Sequence, residues 1–213
     1  MKKLCVFILS LTLMQFVHAQ KSFYSGAVVF SGNFGIDGNT ANQHYFNQPE
    51  NSGQTLNGSA PASNFNLTGE VGVFNWLGLG LIGRFDNYYM QNNEITHTNT
   101  TAGAVDLGGT VNIHIVRITP LDLFAGYDWG FSQFTYYVND GLNTKAYGSG
   151  NWSDIHITGR VYFGNHLGVN LSLYAPTMSY SSLHNNNSTA GEYIVDYWKS
   201  TGYGASVGIQ YKL

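Results

Sequence analysis

The sequence predicts an all-β fold, an eight-stranded antiparallel up-and-down transmembrane β-barrel. Three observations lead there. The residues from Tyr203 to Leu213 alternate apolar side chains with small or polar ones almost without fault. Similar alternation recurs about eight times along the chain. Charged residues make up 10% of the sequence, against about 25% in soluble domains, yet no apolar run is long enough for a membrane-spanning helix. Strands that show hydrocarbon on one side and enclose polar groups on the other account for all three.

Taken in order, the chain begins with Lys2 and Lys3 ahead of an apolar stretch from Leu4 to Val17, and Val17-His18-Ala19 places small residues before Gln20. Residues 1–19 read as a secretory signal peptide cleaved before Gln20, and residues 20–213 as a single barrel domain with four long surface loops. The only cysteine, Cys5, falls in that peptide, so the mature chain has neither disulfide scaffold nor thiol chemistry. Of 9 basic side chains two leave with the peptide, and 7 then face 12 acidic ones. That mildly acidic balance argues against a nucleic-acid partner.

The strands follow. In the first, about Phe23 to Ile36, Tyr24, Val28, Phe30, Phe34 and Ile36 oppose Ser25, Ala27, Ser31 and Asn33, with Val29 an apolar exception. The second, Phe65 to Phe74, sets Phe65, Leu67, Val71 and Val73 against Asn66, Thr68, Glu70 and Gly72. The third, Leu77 to Tyr89, sets its leucines and Phe85 against Gly78, Gly80, Arg84 and Asp86. In the fourth, Val105, Leu107, Val111, Ile113 and Ile115 oppose Asp106, Thr110, Asn112 and His114.

The fifth, Leu121 to Phe131, opposes Asp122, Gly126 and Asp128 to Tyr127, Trp129 and the leucines. The sixth sets Ile155, Ile157, Val161 and Phe163 against Asp154, His156, Thr158 and Arg160. The seventh sets Leu167, Val169, Leu171 and Leu173 against Gly168, Asn170, Ser172 and Tyr174, and Tyr203 to Leu213 is the eighth. A period of two throughout is the strand signature.

Connections around Asn75-Trp76, Val116 to Pro120 and Gly164 to His166 are tight. Those at about Asp37 to Asn64, Met90 to Thr101, Gln133 to Ser153 and Pro176 to Gly202 are long and rich in Asn, Ser, Thr and Gly. Short turns on one rim and long loops on the other are the pattern of membrane barrels. The alternative is a soluble barrel that encloses its apolar face. Charge decides between them, because the ionisable residues and many glycines share the polar face, and glycine is useful where eight strands converge on a narrow interior. Aromatic girdles are expected at both rims. Tyr88, Tyr89, Tyr127, Trp129, Phe134 to Tyr137, Trp152, Tyr197 and Trp198 fall on the long-loop side, and Phe23, Trp76, Phe163 and Tyr211 on the other.

With these patterns assembled, the mature sequence resembles the eight-stranded outer-membrane barrels of the OmpA transmembrane-domain and OmpX type. The resemblance implies residence in the outer membrane of a Gram-negative bacterium, with outer-membrane lipid or lipopolysaccharide around the barrel. It implies the barrel-assembly machinery as a partner during insertion, its signal carried by Tyr203, Val207, Ile209, Tyr211 and Leu213. A terminal phenylalanine is common in such barrels, and Leu213 stands there instead.

The candidate site is a lumenal polar network of Glu70, Arg84, Asp86, Asp106, His114, Asp122, Asp128, Asp154, His156, Arg160 and Lys212. Enclosed charges must pair or find water. Hairpin geometry places His114 opposite Asp122 and Glu70 roughly diagonal to Arg84. Such a network serves as a structural plug, as the lining of a narrow water path, or as a proton relay or catalytic site. Lipid A-modifying enzymes on this architecture use a histidine and a serine. Here His184 with Ser181 and Ser182, His97, and His156 near Ser153 and Asp154 lack their His-x-Ser arrangement on a lipid-facing strand. No catalytic set, metal site or cofactor is expected. The reading is a non-enzymatic anchor displaying loops for adhesion, recognition or envelope integrity, with possible extracellular ligands. A small channel is the first alternative and a lipid A-modifying enzyme the second.

Overall fold

The computed structural model describes residues 22–46, 55–90, 100–138, 144–186 and 194–213; residues 1–19, expected as a signal peptide, and His97 lie outside them. Ten strands form one antiparallel sheet: β1 (Val28–Phe46), β2 (Thr55–Ser59), β3 (Ala62–Phe74), β4 (Leu77–Met90), β5 (Thr100–Ile118), β6 (Leu121–Val138), β7 (Thr144–Phe163), β8 (Leu167–Tyr180), β9 (His184–Asn185) and β10 (Ile194–Lys212). Going round, β1, β3, β4, β5, β6, β7, β8 and β10 pair in turn, and β1 pairs β10 from Val29↔Lys212 to Phe46↔Ile194, which closes the sheet. Beyond the break at Ala60-Pro61, β2 continues the line of β3 along β1, and β9 extends the line of β8 along β7. The wall therefore has eight columns.

The stagger of the barrel follows from its register. Paired residues run Phe30, Gly69, Leu81, Gly109, Trp129, Ser153, Thr177, Thr201, and return to β1 at Thr40, ten residues along the strand from the start. Strands tilted by such a shear leave an interior that side chains fill. Gly78 shows that crowding, since a Cβ there would collide with the Glu70 carboxylate unless that side chain moved.

Sidedness is decided by exposure. Leu81 is 71% exposed, Leu107 69% and Phe131 78%, while Glu70 is 0% and Arg84 2% exposed. The apolar rows look outward and the ions are enclosed. Along each barrel strand the outward apolar row is about nine to eleven residues long, as in Leu121 to Phe131 on β6 and Leu167 to Ala175 on β8. That is the span of a tilted strand across hydrocarbon.

The strands do not stop where the apolar rows stop. Most of Gln133 to Ser153, expected as a loop, is strand: β6 runs to Val138 and β7 begins at Thr144. Across this boundary the amphipathic sense inverts. Gln133, Ser149, Asn151, Thr177, Thr201 and Thr40 now face outward, whereas Phe134, Tyr136, Trp152, Met178, Tyr180 and Trp198 are buried inside. The physical reason is the change of medium. Below the boundary the outside is hydrocarbon; above it the outside is water, so the greasy side turns inward.

The depth of the membrane band is testable. Leu171→Arg, at the centre of its outward row, is expected to cost about 2–4 kcal/mol. Gln133→Arg, on the outward face above the boundary, should cost about 0–1 kcal/mol. Urea unfolding in liposomes, followed by tryptophan fluorescence, measures both.

Candidate functional site in the lumen

At the short-turn end, β3, β5, β6 and β7 bring four ionisable side chains into a ring. Arg160 Nη2 lies 2.7 Å from Glu70 Oε2, and its Nη1 lies 3.6 Å from Asp122 Oδ2. His114 completes the circuit, with Nε2 2.9 Å from Glu70 Oε1 and Nδ1 2.8 Å from Asp122 Oδ1. Asn112 Nδ2 donates to Glu70 Oε1 at 2.9 Å. Two carboxylates thus share a guanidinium and an imidazole, so that charges costly to bury alone are offset by opposite charges at ion-pair distance. Flat groups seal this ring. Phe23 stacks on His114 with centroids 3.5 Å apart and planes 8° apart, and Arg160 sits 4.1 Å above the Phe124 ring.

Phe23 precedes β1 on a segment that folds back under the mouth. Gly26 turns the chain at a φ of +87°, a left-handed conformation suited to glycine, and its N–H donates to Gly72 O. Ser25 N–H donates to Asn75 Oδ1, and Lys212 Nζ to Ser22 O. Lys212 also lies 4.5 Å from the centroid of Tyr162.

Halfway up, Arg84 of β4 gathers three carboxylates. Its Nε donates to both oxygens of Asp86 at 2.9 Å, its Nη2 to Asp37 Oδ2 at 2.7 Å, and its Nη1 to Asp154 Oδ2 at 3.2 Å. A rigid planar fork with five N–H donors suits that task; an ammonium would not reach all three. Tyr174 OH donates to Asp37, and Asn64 Nδ2 donates to Asp37 Oδ1 at 2.8 Å. Asp106 lies directly opposite Arg84 across β4 and β5, and is buried. Between the two clusters, His156 Nε2 is 3.5 Å from Asp128 Oδ1, beside a cavity of about 50 Å³ that Arg84, Asp154 and Arg160 also line.

Above Arg84 the lumen is closed by aromatic rings. Phe134 stacks on Tyr180 at 4.4 Å and on Trp198 at 4.6 Å, and Tyr88 meets Trp198 edge-on at 5.0 Å. Tyr88 OH donates to Met178 Sδ, and Ser132 Oγ is 2.6 Å from Tyr180 OH. Alanines 41, 62, 102, 104 and 146 line the surrounding wall, where small side chains leave room for the rings.

No protein-family model matches the sequence, and no curated protein matches it. Solved structures do. The outer membrane protein OprG from Pseudomonas aeruginosa superposes with a TM-score of 0.58 at 11% identity, covering 90% of this chain and 98% of its own. The fold is that of the outer-membrane β-barrels. Outer membrane protein AlkL, solved in lipid bilayers, gives 0.53 at 13% identity over 90% of this chain and 92% of its own. The outer membrane protease OmpT from Escherichia coli gives 0.52 at 9% identity over 91% and 98%.

In this barrel, ten of the eleven lumenal candidates (Glu70, Arg84, Asp86, Asp106, His114, Asp122, Asp128, Asp154, Arg160 and Lys212) are buried, and the His156 side chain is 11% exposed. Of the two expected partnerships, one differs. Glu70 does not meet Arg84; the lumen is narrow enough for Arg160 to reach it from β7. His114 and Asp122 do meet, although not directly opposite: the ladder sets His114 against Phe124 and Asp122 against Arg117, and the His114 ring reaches along the wall to Asp122.

Several expected girdle residues also differ: Tyr88, Phe134, Tyr136, Trp152 and Trp198 are inside the barrel, as is Phe23. Tyr89, Tyr127, Trp129, Trp76, Phe163 and Tyr211 do face out, as do Tyr203, Val207, Ile209 and Leu213. His156 and Ser153 point to opposite sides of β7, and His184 lies against Tyr147 at 6.2 Å.

Sequence reasoning missed Asp37, Tyr174 and the aromatic closure. Asp37 follows outward Ile36 and so shares the inward phase, a signal lost by ending the first strand one residue early.

Removing the Arg84 guanidinium leaves three carboxylates facing one another. Arg84→Met is expected to destabilise the barrel by about 3–5 kcal/mol, and Arg84→Lys should recover only part of that. Lys145→Met on the outer wall should stay within about 0.5 kcal/mol. The temperature at which the folded band shifts on a semi-native gel reports all three.

Proposed function

We propose that the protein is a sealed, non-enzymatic anchor of the outer membrane, presenting its long-loop rim for adhesion or recognition. The observation that carries this reading is the closure of the lumen at two levels, by Phe23 and the His114 ring at one end and by the Phe134, Tyr180 and Trp198 stack at the other. A permeation path needs continuous space or polar lining, and rings in van der Waals contact offer neither. The outward rim supports the recognition half of the reading. Lys145 lies 5.2 Å from the Tyr137 ring, and Tyr147 beside it is 49% exposed, so aromatic and cationic groups are offered on ordered strands. The loop tips themselves lie outside the described residues.

A small channel is the second reading, favoured by the charged cavity between the two closures. Planar-bilayer recording separates them. The wild-type protein is expected to hold current at the protein-free baseline, whereas a variant combining Phe23→Gly, Phe134→Gly and Trp198→Gly should conduct. Steady wild-type conductance abolished by Arg84→Met would establish the channel instead.

A further inference from the structure

The outer wall carries a groove that the anchor reading leaves without a role. It has a volume of about 330 Å³ and lies across β1, β8 and β10, lined by Thr40, Pro176, Thr177, Thr201, Gly202 and Tyr203. Pro176 opens it. Without an N–H it cannot donate to the ladder, and the β8–β10 pairing that includes Thr201↔Thr177 resumes only at Gly204↔Tyr174. The neighbouring Ala175 N–H donates to Asp154 Oδ1 at 3.0 Å instead.

The groove sits at the edge of the hydrocarbon band. On all three strands the outward apolar row ends here, at Ile36, Ala175 and Tyr203, and hydroxyls follow at Thr40, Thr177 and Thr201. Lys199 is the next outward residue above Thr201, about 7 Å further along the strand, with Asn42 and Ser179 beside it in register. Of the carboxylates whose side chains the structure describes, those nearest this height, Asp37, Asp86, Asp106 and Asp154, are all drawn into the lumen. The outer wall at the groove thus presents an ammonium and three hydroxyls above a greasy surface. Tyr203, 80% exposed, stands where rings favour the headgroup layer.

We propose that this groove binds the headgroup of a phosphorylated lipid of the outer leaflet. The Lys199 ammonium and the Thr40, Thr177 and Thr201 hydroxyls take the phosphate, and the acyl chains lie along Leu171, Leu173 and Val207. The inference rests on the outer-membrane reading and names a partner for that barrel.

Native mass spectrometry of the full-length, detergent-extracted protein, titrated with diphosphoryl lipid A, tests it. A one-to-one adduct is expected, and Lys199→Gln should weaken it about tenfold, the loss of one charge-assisted contact. Thr201→Val should weaken it less, and Lys145→Gln, at the long-loop rim of β7 and six residues beyond the Asn151 that pairs Ser179, should not change it. Fully dephosphorylated lipid A bound as tightly as the diphosphoryl form would overturn the proposal. So would a Lys199→Gln adduct equal to wild type, an equal loss in Lys145→Gln, or inorganic phosphate at millimolar concentration displacing the lipid outright. Density-gradient fractionation before extraction keeps the two readings apart. Protein missing from the outer-membrane fraction defeats the membrane assignment, whereas protein present there without an adduct defeats only the lipid site.

Discussion

Closure of the backbone ladder is the constraint on which the rest depends. In hydrocarbon an unpaired N–H or C=O finds no water, and each such group costs several kcal/mol. The long pairing of β1 with β10, from Val29↔Lys212 upward, removes the sheet edges that would otherwise carry a row of them. Once the sheet is closed with a stagger of ten residues, the interior is fixed as a narrow column. Its contents must then be packed like a core, whatever their polarity.

That column holds two solutions to the same packing problem. Within the membrane band the inward residues are ions, and they are arranged as compensated clusters around Arg160 and Arg84. Above the band they are aromatic rings, arranged as a stack. The same wall serves both, because a strand has two faces and the surroundings decide which must be apolar. Arg84 marks the transition. Its guanidinium faces carboxylates from β1, β4 and β7 and lies 5.3 Å from the Tyr174 ring, so it ties three strands of the circuit at one height.

Period two along the chain suffices to place Leu81, Leu107 and Phe131 on one side and Glu70 and Arg84 on the other. That part of the fold is legible because hydrophobic contrast between the faces is strong there. The strand extensions were not legible, for a physical reason. Around Phe131 to Tyr137 apolar residues occur in both phases, Phe131 outward and Phe134 inward, so the alternation cancels and the segment reads as loop. Asp37 to Asn42 fails differently, with polar or small residues on both faces and no contrast at all. Long-range partnerships were hidden too. The approach of Arg160 to Glu70 depends on barrel diameter, and the pairing of His114 with Phe124 depends on a strand register that leaves no mark in composition.

The inversion midway up the wall also determines how the molecule sits along the bilayer normal. Moving it outward would wet Phe131, Leu107 and Ile36, and moving it inward would strip water from Lys199, Gln133 and Asn151. Both displacements are uphill, so the vertical position has a restoring force in each direction. A bilayer of different thickness must therefore adapt its own acyl chains to this protein, since the barrel has no freedom to slide.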